Sequence, residues 1–321
     1  MKIYFSNQGN LQYFSHFVKR VDLSSPNKLM ISTDKRWVNV HPAYLVFAAA
    51  LAKKVGKANA GIMADVPESV RYIDRMGLYE LINTPSPFGE YRHKDPSGRF
   101  IPITFIKNAK DQSRFISEMV PLLHLDENDS STIKYIIGEL VRNVLEHSYA
   151  KDGAVVAAQY FKNTNKISLA ICDTGIGLWR GLKIWHPRTD EEAIRLALTP
   201  GVSGTTLREG GTSENAGAGL FFIKSIAKTT RSNFAVYSGD ALYMLKKTRP
   251  DQKMPTLKAD PFEDACVRET GLARFEGTLV AVDISLDKTV EFKQMLDAIG
   301  NVYEAAIRER KEQKFRKPNF I

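Results

Sequence analysis

Apolar positions in the first third of the chain fall into short runs separated by turn chemistry. After a lead-in over residues 1–27, Lys28–Ser32 (KLMIS) is predicted as a strand. Pro42 then opens a strongly apolar helix, AYLVFAAALAKKVG, with proline in its first turn and Gly56 closing it. Asn59–Asp65 reads as a short strand, Val66–Met76 as a second helix begun by proline, and Tyr79–Ile82 as a closing piece. Strands alternating with helices argue for a small α/β layer structure. Thr84–Pro102 is rich in proline, glycine and charge, which marks a boundary. The expected division is therefore 1–102 and 103–321.

A different pattern starts near Ile103. Helices are predicted over about Gln112–Leu123 and Ser130–Ser148, the latter capped by Asp129 or Ser130. Strands Ala154–Tyr160 and Lys166–Ile171 follow. A long irregular stretch, Gly177–Ala216, contains one helix at Asp190–Leu198. Next come a helix at Gly219–Lys228, a hairpin of Asn233–Tyr237 and Ala241–Lys246 around Ser238-Gly239-Asp240, a strand at Gly277–Ile284 and a helix over 289–312. So long a connection inside a compact domain suggests a functional segment. Gly201, Gly204, Gly210, Gly211, Gly217 and Gly219 fall close together there, which suits a lid over about 178–216 that closes on a ligand.

Composition sharpens this only modestly. Of 321 residues, 43% are hydrophobic and 25% charged, ordinary for a globular protein of two domains. Two cysteines, Cys172 and Cys266, cannot build a disulfide framework, so a reducing compartment is expected. The start MKIYFSNQGN lacks the pattern of a signal peptide, and Tyr44–Ala52, the longest apolar run, is too short to cross a bilayer. The expectation is a cytoplasmic protein with no membrane partner. The net charge of +9 is partly local, in the basic tail Arg308–Lys317. Without a recognisable module, that excess gives nucleic-acid binding only slight support.

The candidate chemistry lies in four separated segments. In IIGELVRNVLEHSYA, Glu139, Asn143 and His147 recur every four residues, which sets all three on one helix face. Ile136, Leu140, Val144 and Leu145 supply an apolar stripe beside them. In the second segment the apolar strand ISLAI runs into Cys172-Asp173-Thr174-Gly175-Ile176-Gly177. A carboxylate at the end of a buried strand demands a partner, and the two glycines let backbone approach a ligand. Third, Asn215-Ala216-Gly217-Ala218-Gly219-Leu220 opens a helix, a suitable place for an anion. The fourth is Glu276-Gly277-Thr278 at the start of the last strand.

In this order and spacing, the segments resemble the four boxes of the GHKL ATPases, the superfamily of gyrase, heat-shock chaperone, histidine kinase and MutL. ELVRNVLEH looks like the N box, DTGIG and GAGL like the two glycine boxes, and GT before a strand like the last. The resemblance covers roughly Ile103–Leu286. It implies a Bergerat-type α/β sandwich, a mixed sheet with helices on one face, that binds ATP and Mg²⁺. It implies that Asp173 accepts from the adenine amine, supported by Thr278, and that Asn143 holds Mg²⁺. Gly175 and Gly177 would bend the chain around the nucleotide, and Gly217, Gly219 and Leu220 would meet the phosphates. His147 would complete the nucleotide-facing stripe, and Glu139 would be the general base.

The form E-x-x-x-N-x-x-x-H is most similar to the anti-sigma-factor serine kinase branch. His124, in LLHLDEN, lacks the setting of a phosphoacceptor histidine, and too few residues follow Leu286 for a transducer domain. The N-terminal half resembles a small α/β STAS-like domain, yet the position that would carry its substrate hydroxyl reads His41-Pro42-Ala43. The expected activity is ATP hydrolysis or serine/threonine kinase-like regulation of a partner protein. An ATP-gated binding switch with little turnover is the alternative. A homodimer through the closing helix stays open. Cys172 is read as packing, Lys224 as a surface lysine, and His186, Arg180, Arg188 and Arg208 as a solvated face of the lid.

Overall fold

The computed structural model describes residues 1–63, 65–89, 99–206, 219–249, 251, 256–287 and 292–315. The N-terminal part contains β1 (Lys2–Phe5), α1 (Phe14–Val18), β2 (Leu29–Thr33), α2 (Pro42–Val55), β3 (Ala60–Ile62), α3 (Arg71–Arg75) and α4 (Leu78–Leu81). The three strands make a parallel sheet in the order β1-β2-β3. Then follow β4 (Phe100–Ile106), α5 (Ala109–Arg114), α6 (Glu127–Asn143), β5 (Ala154–Phe161), β6 (Lys166–Asp173), α7 (Gly177–Gly181) and α8 (Asp190–Ala197). The remainder is α9 (Gly219–Thr229), β7 (Phe234–Gly239), β8 (Ala241–Leu245), β9 (Cys266–Glu269), β10 (Phe275–Ser285) and α10 (Phe292–Phe315).

Helix α2 organises one side of the molecule. His41 caps it by accepting the Ala43 amide on Nδ1 at 3.0 Å, and Gly56 ends it at φ 84°. Every residue from Pro42 to Ala52 is buried, as expected of a helix that is apolar all round. One face meets the small sheet through Leu29 and Ile31. The other lies on the large sheet, against β5, β6 and β10. Small side chains at Ala157, Ala170 and Ala281 let the helix approach that sheet closely. Phe17 and Tyr44 pack with ring centroids 4.4 Å apart, and Phe47 meets Phe275 at 4.9 Å. One continuous apolar core thus joins the N-terminal part to the large sheet. Fully burying a side chain such as Phe47 contributes about 1.5–3 kcal/mol.

Among the described residues the large sheet has seven strands in the order β4-β5-β6-β10-β7-β8-β9, and every pairing is antiparallel. Here the structure corrects the expectation of a mixed sheet with helices on one face. Hairpins join β5 to β6 and β7 to β8, and β10 returns antiparallel between β6 and β7. Both faces carry helices, α2 on one and α6, α9 and α10 on the other. The chain is an α/β protein with a large antiparallel and a small parallel sheet. Among the described residues, no helix is long and apolar enough to cross a membrane.

Three strands were not expected. β1 lies in the lead-in, β4 straddles the end of the presumed boundary at Pro102, and β9 lies in a polar loop. All three lie at sheet edges, and β1 and β9 are only four residues long, too short to show a clear two-residue alternation. The second helix begins earlier than expected, at Glu127, because Asp126 rather than Asp129 or Ser130 is its cap. The Asp126 carboxylate accepts the Asp129 amide.

Candidate functional site

Between α6, the ends of β6 and β10, and the start of α9 lies a cleft of about 1040 Å³, counting the part open to solvent. Its lining brings together Glu139, Asn143, His147, Asp173, Gly177, Gly219, Leu220 and Thr278. These residues come from all four segments singled out in the sequence. Gly175 stands just outside, in the turn that packs on the end of the α6 rod, where the Ile176 amide donates to the Ser148 carbonyl at 2.8 Å. Gly217 and residues 207–216 of the expected lid lie outside the described residues.

The helix carrying Glu139 and Asn143 does not run on as a regular α-helix. Val144–Ser148 is wound as a π turn, a feature often found at functional sites. His147 nevertheless remains on the cleft side. Tyr149 then stops the helix in the left-handed conformation at φ 54°.

Asp173 closes β6 and is 2% exposed. The register pairs it with Thr278 across from β10. A bulge in the β10–β7 pairing lies between Phe275 and Thr278. Gly277 sits there at φ 137°, where an added Cβ would stand 2.1 Å from the Asp173 carbonyl oxygen. No other residue type fits that close approach. Burial pushes the Asp173 carboxyl up to about 7, even though the backbone amides of Gly175 and Thr278 favour its ionised form. The Gly175 amide donates to Oδ1 at 2.7 Å. A carboxyl poised in this way at the floor of a cleft is suited to accept a hydrogen bond from a ligand.

Glu139 lies further along the cleft. Burial raises its pKa, while Arg142, at 2.6 Å from Oε2, opposes the rise. Gly219 begins α9 directly against it. A Cβ there would be 2.7 Å from Glu139 Oε2 and 3.5 Å from Asn143 Nδ2. The N-terminus of α9 therefore meets the polar stripe of α6, and the positive end of a helix dipole favours an anion there. Ile171, Leu182, Val202 and Val280 give the rest of the cleft an apolar wall suited to a flat ring.

The stretch expected to be irregular is ordered over its described part, Gly177–Thr206. α8 packs on β7 and β8. Trp185 Nε1 donates to the Ser203 carbonyl at 2.7 Å, and the buried Asp190 receives Arg274 at 2.9 Å and the Asp240 amide at 3.1 Å. Arg180, His186 and Arg188 are exposed, and Arg208 lies outside the described residues. Cys172 is fully buried on the α2 side of the sheet.

Lys224 overturns its expected place at the surface. Its side chain is 1% exposed, and Nζ donates to Asp264 Oδ2 at 2.7 Å and to the Lys258 carbonyl at 3.2 Å. Lys228 also pairs with Asp264. Burial lowers the Lys224 pKa against the pull of Asp264. The group ties α9 to the segment before β9 and takes no part in the cleft.

Two contributors carried no clear signal in the sequence. Ser238, at the end of β7, accepts the Leu178 amide at 3.0 Å and donates to the Gly277 carbonyl at 2.7 Å. It thereby locks the glycine turn after Asp173 to the start of β10. Arg142 sits inside the same motif as Glu139, but only its rotamer reveals the pairing.

No protein-family model matches the chain, and no curated protein is significantly similar to it.

Proposed function

We propose that the cleft binds Mg-ATP in the manner of a GHKL-type, Bergerat-like site, and that the chain acts as an ATPase or serine/threonine kinase-like regulator of a partner protein. One observation carries the reading. Four segments separated by up to about 140 residues converge on one cleft, with a buried carboxyl at its apolar end and a helix N-terminus at its polar end. Adenine, with an exocyclic amine and a flat apolar face, fits the first end. A polyphosphate fits the second.

The donor set suits Mg²⁺ as a nucleotide complex. Among the described residues, no cluster of acidic, His or Cys groups could hold a metal by itself. Mg²⁺ bound with phosphates, however, needs only one or two protein oxygens and keeps several waters. Asn143, on the stripe that faces α9, would supply its amide oxygen. When bound, the ion would neutralise phosphate charge.

The chain's own groups then divide the work. Asp173 accepts from the adenine amine. Leu220 and the backbone of Gly219 meet the phosphates. Glu139, kept partly out of water, takes the proton from an attacking water or protein hydroxyl as the bond from the γ-phosphorus to its bridging oxygen breaks and ADP leaves. The pairing of Glu139 with Arg142 favours a second reading, in which the site is an ATP-gated switch with slow turnover, because the base is already engaged by an ion pair. The N-terminal part, with its parallel sheet and no hydroxyl at His41–Ala43, fits a STAS-like scaffold that receives no phosphate itself.

Titrating the full chain with ATP and Mg²⁺ by calorimetry tests the site. Wild type is expected to bind, and Asn143→Ala to weaken Mg-ATP binding by about tenfold, the worth of one ligand to a charged partner. Unchanged affinity in that variant would refute the assignment.

A further inference from the structure

We propose that Arg142 is the γ-phosphate sensor of the cleft, held on Glu139 until a nucleoside triphosphate draws it away. This rests on the nucleotide reading above and names the residue that would tell a triphosphate from a diphosphate.

The geometry sets up a competition. Arg142 is the one lysine or arginine among the described residues that line the cleft. Its Nη2 stands 2.6 Å from Glu139 Oε2, one helical turn away on α6. The Arg142 side chain is 41% exposed and that of Glu139 only 15%, so the side chain with room to move is the one nearer solvent. The same Oε2 faces the first residue of α9, at the place where a Cβ on Gly219 would lie 2.7 Å away. The first turn of α9 carries no acidic residue that would complement its dipole. Glu139 is thus paired with Arg142 while its carboxylate stands against the first residue of α9.

A terminal phosphate entering at α9 brings more negative charge than Glu139 holds. Placed beside an ionised Glu139, it would be repelled unless a cation moved between them. Arg142 has the reach, the exposure and the planar fork that phosphate oxygens favour. Its transfer to the phosphate offsets the repulsion and leaves Glu139 with a free oxygen. A diphosphate stops short of this end and leaves the pair intact. The same residue thus confers preference for the triphosphate and confines an unpaired base to the triphosphate-bound state. No bond is made or broken in the exchange.

The experiment compares affinities for Mg-ATP and Mg-ADP in full-length wild type, Arg142→Met and Arg142→Lys by calorimetry. Wild type is expected to favour ATP, and Arg142→Met to lose about tenfold in ATP affinity with ADP affinity unchanged, the scale of one hydrogen bond between charged groups. Arg142→Lys should recover part of the preference, because the charge survives without the fork. A merely structural role would weaken both nucleotides together, and that result overturns the proposal. Should wild type bind both nucleotides and Arg142→Met keep the wild-type ratio, the sensor falls and the ATP site stands. If wild type binds neither nucleotide, the site and the sensor fall together.

Discussion

Replacing Asp173 by Asn removes a carboxyl that burial holds neutral up to about pH 7. In the unfolded chain the same group titrates near its ordinary value of 3.8. Because the folded pKa is the higher one, stability from the protonated form is fully present below the unfolded value and is lost as pH rises through about 7. A displacement of this size corresponds to about 4 kcal/mol once both states are ionised. Asn escapes that cost. It keeps one oxygen for the Gly175 amide but loses the second acceptor, at about 1 kcal/mol. The ligand-free variant should thus exceed wild type in stability by about 3 kcal/mol at pH 8 and by roughly nothing at pH 4.5. Asp283, whose buried carboxyl is desolvated yet held well below the usual range by His41, Lys166 and Ser168, is present in both proteins and cancels from the difference. Urea unfolding at the two pH values measures the gap. A variant no more stable than wild type at pH 8, or a gap that does not close in acid, would refute the account of Asp173 as a strained, ligand-seeking carboxyl. The same substitution should weaken ATP binding, so stability and affinity are expected to move in opposite directions.

Two further outcomes are expected. Glu139→Ala should retain Mg-ATP binding while its phosphate release, or its transfer to a partner, falls by about 10²–10⁴-fold, the usual contribution of a general base. Equal turnover in wild type and variant would remove Glu139 from the chemistry. Phe47→Ala should destabilise the fold by about 3–5 kcal/mol, because Phe47 packs against both Tyr237 and Phe275 of the large sheet. Chemical denaturation that shows a loss below about 1 kcal/mol would contradict a core shared by the N-terminal part and that sheet.

Much of the site could be read from the chain because its signals are local. Spacing by four placed Glu139, Asn143 and His147 on one face, and the structure lines them along the cleft despite the π turn that ends their helix. The apolar run after Pro42 specified a buried helix, since no face of it could remain in water. Asp173 at the end of an apolar strand announced a group in need of a partner. The tertiary structure alone decided what these pieces meet. The pairing of Asp173 with Thr278 exists because β10 inserts between β6 and β7, a contact between residues more than a hundred positions apart. Lys224 has the composition of a surface residue, and only the Asp264 carboxylate, brought to it by the segment before β9, makes its burial tolerable. The hold of Arg142 on Glu139 depends on a rotamer that sequence does not encode. Periodicity and turn chemistry act over a few residues and can be seen in the chain. Strand order, burial depth and ion pairing are set by what packs from afar, so they appear only in the folded molecule.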